Sequence, residues 1–152
     1  GTTMTSGGAE FCDERYEKAA LECGMKTLIF LPWAKFRQHE SPYWITARHV
    51  RNAEAISIEA HPAWRKLEPK FKLLMIRNAY QVLGKNLKSP VKFVLCYTDD
   101  GCQTDAERTR KTGGTGQAIT IADFNNIPVI NLQRYLGNLD GLKAAIKEIV
   151  NQ

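Results

Sequence analysis

The chain has 152 residues, of which 43% are hydrophobic and 24% are charged, and this composition is typical of one globular domain with its own core. No apolar run approaches the roughly 18 residues of a membrane-spanning helix, and the first residues lack the pattern of a secretion signal. We therefore expect a cytoplasmic protein with no membrane partner. The net charge of +5 favours an anionic partner, such as a nucleotide or a nucleic acid.

Apolar runs and turn residues predict helices that alternate with strands along the chain. The predicted strands are a short segment ending near residue 5, then residues 26–31, 91–97 and 127–132. The predicted helices cover residues 9–23, 46–58, 67–83, 115–125 and 139–150. This alternation predicts an α/β fold with a mainly parallel sheet, in which ligands bind at the carboxyl ends of the strands. Because there is no repeat or composition shift, we expect a single domain over residues 1–152.

Two glycine motifs each precede a predicted helix. The first glycine loop is Thr5-Ser6-Gly7-Gly8-Ala9, and the second is Gly113-Gly114-Thr115-Gly116-Gln117-Ala118. A helix N-terminus carries unpaired N–H groups and partial positive charge, so both loops are suited to hold a phosphate in one crevice. The alternatives are plain turn glycines, and hydroxyls that only cap their helices. The predicted phosphate-binding residues are Ser6, Gly7, Gly8, Gly113, Gly114, Thr115 and Gly116.

The residues around both loops resemble one known family. The runs TSGGAEFCDERYEKAALECGMKTLIFLPW and LCYTDDG, with the later KTGGTGQAITIADFNNIPVINL, are similar to segments of the SMF/DprA–LOG (SLOG) superfamily, in particular its small stand-alone members of phages and bacteria. The resemblance implies a Rossmann-like three-layer domain that binds a nucleotide or a nucleotide-derived ligand. It also implies a homodimer, because such proteins often pair through helices.

The chain departs from the family pattern at two places. The cytokinin-activating phosphoribohydrolases of the superfamily carry a Gly-Gly-x-Gly-Thr-x-x-Glu motif with a catalytic glutamate, and here Gln117 and Thr120 stand at the threonine and glutamate positions. In addition, the strand and Gly-Ser loop that usually precede the first glycine loop are missing from this sequence. That strand lies mid-sheet in the family, and its absence would leave backbone groups unpaired in the core. We therefore expect that upstream residues were removed, that the strand comes from another polypeptide, or that a rearranged or swapped strand replaces it.

Three carboxylates are candidates for catalysis. Asp13 matches the aspartate of the family's SGGA-x-x-x-D segment, where it either faces a ribose hydroxyl or complements the helix dipole. Asp99 and Asp100 follow a predicted strand, where they either stabilise positive charge developing on a sugar or begin a turn. We therefore predict Asp13, Asp99 and Asp100 as catalytic residues.

Other side chains are predicted to contact the ligand. The resemblance implies that Arg77, with its neighbour Asn78, holds the nucleotide, and the alternative is a solvated or core-facing pair. Trp33 follows a strand end and either stacks on a base or packs in a lid. Lys111 either neutralises phosphate beside the second glycine loop or belongs to a mobile charged loop. The predicted ligand-binding residues are Trp33, Arg77, Asn78, Lys111 and Gln117.

The four cysteines and three histidines show no metal-ligand spacing, so we expect free thiols, no metal and no cofactor. Cys96 lies in an apolar run and is expected to be buried.

Three functions remain open: hydrolysis of a ribosyl or phosphate bond, sensing or sequestration of a nucleotide signal without turnover, and binding of single-stranded nucleic acid. The last rests on the aromatic and basic stretch between Trp33 and Trp44 and on resemblance to the DNA-processing protein of the superfamily.

Overall fold

The structure is a computed structural model that describes residues 2–45 and 50–151. The chain forms two compact units, Gly1–Ser89 and Pro90–Gln152, and each is described by itself. The single domain over residues 1–152 and the missing first strand stay predictions. Within the described residues, no helix has both the length and the apolar character needed to cross a membrane.

The first unit contains a three-stranded parallel sheet and three helices. The strands, in spatial order, are β1 (Thr3–Ser6), β2 (Lys26–Leu31) and β3 (Tyr43–Trp44), with Thr3 opposite Lys26 and Phe30 opposite Tyr43. The helices are α1 (Cys12–Glu22), α2 (Val50–Glu59) and α3 (Pro69–Leu83). Helix α3 packs against α2 and β2, and the Phe30 and Tyr80 rings stack with centroids 6.1 Å apart. The predicted start of α2 at residues 46–49 lies outside the described residues.

The second unit contains a parallel pair of strands and two helices. Strands β4 (Val94–Cys96) and β5 (Val129–Asn131) pair with Val94 opposite Val129. Helix α4 (Thr115–Phe124) packs on both strands, and α5 (Leu139–Val150) ends the unit. A core cluster joins Cys96, Cys102 and Ile119, so the predicted burial of Cys96 is confirmed.

All strand pairs in the described parts of the chain are parallel, α1 connects β1 to β2, and α4 lies between β4 and β5. The predicted α/β class is confirmed, and the arrangement is consistent with a Rossmann-like domain. All four cysteines are free thiols.

The start of α1 differs from the prediction. The helix begins at Cys12 instead of residue 9, because Gly8 and Phe11 have φ values of 63° and 64°, which a right-handed helix excludes. Phe11, inside the predicted helix, lies just before α1 and is 74% exposed. Helix α3 also begins later than predicted, at Pro69 instead of residue 67, because proline suits the first helical position.

Candidate functional site

The first glycine loop connects β1 to α1, and its amides are satisfied by a carboxylate of the same chain. Asp13, in the first turn of α1, accepts hydrogen bonds from Gly7 N at 3.2 Å and from Ala9 N at 3.0 Å through the same oxygen, Oδ2. These are amides that a phosphate in this loop would use. A phosphate bound to them would therefore have to displace the Asp13 carboxylate.

A second carboxylate lies beneath the same loop. Ser6 donates a hydrogen bond from its hydroxyl to Glu17 of α1, and the Ser6 hydroxyl also accepts one from Gly8 N at 3.3 Å. Both Ser6 and Glu17 are buried. Glu17 is not among the predicted site residues, although its position four residues after Asp13 places both carboxylates on one face of α1.

Arg77 of α3 completes this cluster from the opposite side. Its guanidinium is buried and donates to the Gly7 carbonyl. Burial lowers the pKa of Arg77, and the negative charge of Asp13 partly offsets this effect. A Cβ atom on Gly7 would overlap the Arg77 guanidinium and would lie 2.7 Å from Gln81 Oε1, so glycine is required here for space. Arg77 and the adjacent Asn78 are thus buried in the first unit rather than solvated.

The aromatic and basic stretch after β2 is folded back on the start of α1. Arg37 forms ion pairs with Glu10 and with Glu14, the latter at 3.0 Å. Trp33 is 38% exposed and meets the ring of Phe36 edge-on, with centroids 5.0 Å apart. Two carboxylates therefore neutralise the arginine on which a nucleic-acid interface in this stretch would depend.

In the second unit, Asp100 organises the loop that leads from β4 to the second glycine loop. Its carboxylate accepts hydrogen bonds from the hydroxyls of Thr98 at 2.8 Å and Thr109 at 2.6 Å, from the Thr112 hydroxyl, and from Cys102 N at 3.3 Å. The three hydroxyl bonds and the amide bond hold the pKa of Asp100 well below its usual range, with Thr109 the largest contributor. Asp99 beside it is exposed.

The second glycine loop opens α4 without a side-chain cap among the described residues. Gly113 has a φ of 63°, and Gly114 has right-handed helical angles of −64° and −25°. A Cβ atom on Gly116 would lie 2.8 Å from Arg108 Nε, so the guanidinium of Arg108 lies against the first turn of the helix. Lys111 is exposed in the turn before the loop, and Gln117 is fully buried.

Thr120 stands where the resembled phosphoribohydrolases have glutamate, and it is buried in a small polar network. Its hydroxyl donates to Asp105 Oδ1 at 2.6 Å and accepts from Arg108 Nη1 at 2.8 Å. Asp105 and Arg108 are also 3.6 Å apart as an ion pair. The hydroxyl of Thr120 therefore links a carboxylate to a guanidinium beside the second glycine loop.

Asn131, at the end of β5, joins the ends of both strands of the second unit. Its amide donates to the Thr98 hydroxyl at 2.6 Å and to the Cys102 carbonyl at 2.8 Å. Its carbonyl oxygen accepts from Thr98 N at 3.3 Å and Gln133 N at 3.1 Å. Asn131 is predicted only as part of the strand at residues 127–132, so this role is not predicted. The signal was a single polar residue near the carboxyl end of that strand.

Each unit thus assembles part of the predicted site. The first unit brings together the first glycine loop, Asp13 and Arg77, and the second brings Asp100 next to the turn that carries Lys111 and the second glycine loop. The roles assigned to these residues, and to Trp33, Asn78, Asp99, Thr115 and Gln117, stay predictions. Within the described residues, no three His, Cys, Asp or Glu side chains are grouped so as to hold a metal ion.

Comparison of the chain with models of known families, with curated proteins and with solved structures finds no match in any of the three.

The hydrogen bonds of Asp100 lead to a prediction about acid stability. Because its pKa is lower in the folded chain than the value of about 4 in the unfolded chain, the ionised carboxylate stabilises the fold above pH 4. This contribution is lost as the pH falls from about 4 towards the folded pKa. We expect Asp100→Asn to be less stable than wild type at pH 7 and to lose less stability on acidification. Urea unfolding between pH 7 and pH 2, followed by far-UV circular dichroism, measures both effects.

Asp99→Asn is the matched control, since it removes the adjacent but exposed carboxylate. An equal pH dependence in wild type and Asp100→Asn would contradict the stabilising role of the Asp100 carboxylate.

Proposed function

We propose that this protein binds a nucleotide or nucleotide-derived ligand through its phosphate, with the phosphate at the start of α4. The observation that carries this proposal is the contrast between the two glycine loops. In the first loop, Asp13 accepts hydrogen bonds from the amides of Gly7 and Ala9. The second loop leads directly into α4, which has no side-chain cap among the described residues and whose Gly116 amide bonds to the Gly113 carbonyl at 3.2 Å. Uncapped N–H groups and the helix dipole favour an anion at the second loop.

The charges near the second loop support the same assignment. The Arg108 guanidinium lies along the first turn of α4, and Arg110 and Lys111 are exposed in the turn immediately before the loop. Cations at this position attract phosphate and offset its charge. The charges near the first glycine loop differ, because a phosphate bound there would be repelled by the negative charge of Asp13. A phosphate in the first loop would require the Asp13 carboxylate to move.

We further propose that the ligand is held without cleavage by the glutamate route of the resembled enzymes. Thr120 has no ionisable group, and its hydroxyl is already engaged by Asp105 and Arg108. This favours a nucleotide sensor or sequestering protein over a hydrolase. Membership of the SLOG superfamily, a cytoplasmic location and a homodimer are part of the same proposal, and they rest on the resemblance and the composition.

Gly114→Asp tests the phosphate site. The backbone angles of Gly114 suit any residue, and a carboxylate at a helix N-terminus does not destabilise the helix, so the variant should fold. The new charge should repel phosphate and weaken the binding of AMP or GMP about ten-fold or more. Isothermal titration calorimetry measures this affinity, and mass spectrometry of the recovered nucleotide shows whether it is intact.

Gly114→Asn is the matched control, because it has the same size without the charge and should bind nucleotide more tightly than Gly114→Asp. Unchanged affinity in folded Gly114→Asp would exclude a phosphate site at the start of α4. Recovery of a free base or a free phosphate would exclude binding without cleavage.

A further inference from the structure

The net positive charge of this protein belongs to one of its two units. The first unit has fourteen lysines and arginines against nine aspartates and glutamates, whereas the second has seven of each. The proposed phosphate site in the second unit therefore does not account for the charge of +5. A surface of the first unit carries it.

Several cations of the first unit are already engaged. Arg77 is buried against the Gly7 carbonyl, Arg37 pairs with two carboxylates, and Lys18 lies 3.9 Å from Glu22. Among the remaining cations, the segment Arg65–Lys72 concentrates the most within a short stretch. It contains the four cations Arg65, Lys66, Lys70 and Lys72 with one carboxylate, Glu68. Across residues 2–45 and 50–151, none of the ion pairs involves these four cations. Like charges concentrated in this way repel one another unless an anion binds.

Aromatic rings are placed among these cations. Lys70 Nζ lies 5.1 Å from the ring centroid of Phe71, and Lys72 Nζ lies 5.6 Å from that of Trp64. Trp64 is buried, so its ring anchors the segment, but Phe71 is 43% exposed and presents its ring to solvent. An exposed ring between cations matches the two requirements of single-strand binding, which are stacking on a base and attraction of the phosphate backbone.

We propose that the segment Arg65–Lys72 is a binding surface for single-stranded nucleic acid. An anionic membrane is the main competing partner for a basic surface, but insertion into a membrane requires several apolar side chains on the exposed face. Here the following part of α3, residues 76–80, is buried, and Phe71 is the one exposed aromatic ring in the segment. One ring suits a stacked base better than a lipid layer.

The experiment measures fluorescence anisotropy of a labelled oligothymidylate of roughly 16 nucleotides, which spans the largest sites of single-strand binding folds. The triple variant Arg65→Gln, Lys66→Gln, Lys70→Gln should bind more weakly, and the slope of log affinity against log salt should fall by about 2. Phe71→Ala should weaken binding about ten-fold while leaving the salt slope unchanged. Phe71→Ala should also reduce the preference for the oligonucleotide over duplex DNA.

The matched control is the triple variant Lys92→Gln, Lys143→Gln, Lys147→Gln, which removes the same charge from exposed positions in the second unit. This control should bind the oligonucleotide like wild type. Equal losses in the two triple variants, or no binding by wild type at low salt, would overturn the proposal. Binding of phosphatidylserine vesicles that depends on Phe71, without oligonucleotide binding, would replace it with a membrane surface.

Discussion

Replacement of Arg77 by methionine is expected to destabilise the first unit by about 3 kcal/mol. Methionine fills most of the volume but cannot donate to the Gly7 carbonyl, and it removes the positive charge near Asp13. The Gly7 carbonyl then loses its hydrogen-bond donor, and Asp13 loses a nearby positive charge. All three tryptophans lie in the first unit, so urea unfolding followed by tryptophan fluorescence reports on this unit.

The steric role of Gly7 can be separated from the charge of Arg77 by a double-mutant cycle. Gly7→Ala in wild type should cost about 1–3 kcal/mol, because the new Cβ overlaps the guanidinium. In the Arg77→Ala background the same substitution should cost less, since the guanidinium is gone and the flexible Gln81 side chain can move. Additive free energies would show that Gly7 and Arg77 do not contact each other in the folded chain.

Arg77→Lys is the control for charge alone. Lysine keeps the positive charge near Asp13 but lacks the planar fork that reaches the Gly7 carbonyl. We expect it to be less stable than wild type and more stable than Arg77→Met. If Arg77→Met unfolds at the same urea concentration as wild type, the buried guanidinium does not hold the first glycine loop.

The elements with strong local signals could be predicted from the sequence. The apolar run of β2 matches its predicted bounds, and the predicted end of α3 at Leu83 is confirmed where Gly84 adopts a φ of 77°. At the start of α1 the local signal was misleading. The helix starts later because Gly8 and Phe11 adopt positive φ, and the amides of Gly7 and Ala9 bond to Asp13 instead of continuing the helix.

In the candidate site, too, features with a local sequence signal could be predicted and the others could not. Glycine loops before helices can be recognised in a sequence, because glycine lets the backbone N–H groups at a helix N-terminus come close to an anion. Both predicted loops do precede helices. The sequence could not show which loop is already satisfied by a carboxylate. Nor could it show that Thr98, Thr109 and Thr112 converge on Asp100, because these residues are separated by loop backbone whose path depends on the whole unit.

Asn131 supports the second unit as Arg77 supports the first, and Asn131→Ala is expected to destabilise that unit by about 3 kcal/mol. The side chain is fully buried, and the substitution would leave Thr98 N and the Cys102 carbonyl without their partner. Thermal unfolding followed by far-UV circular dichroism measures the loss.

The isosteric variant Asn131→Asp distinguishes hydrogen bonding from packing. It keeps the volume of Asn131 but replaces the amide donor with an acceptor that faces the Cys102 carbonyl at 2.8 Å. If hydrogen bonds dominate, Asn131→Asp should be at least as unstable as Asn131→Ala at pH 7, because a buried charge is added. It should recover stability as the pH falls and the carboxylate is protonated, opposite to the trend expected for Asp100. A stable Asn131→Asp variant beside an unstable Asn131→Ala would instead assign the role of Asn131 to packing.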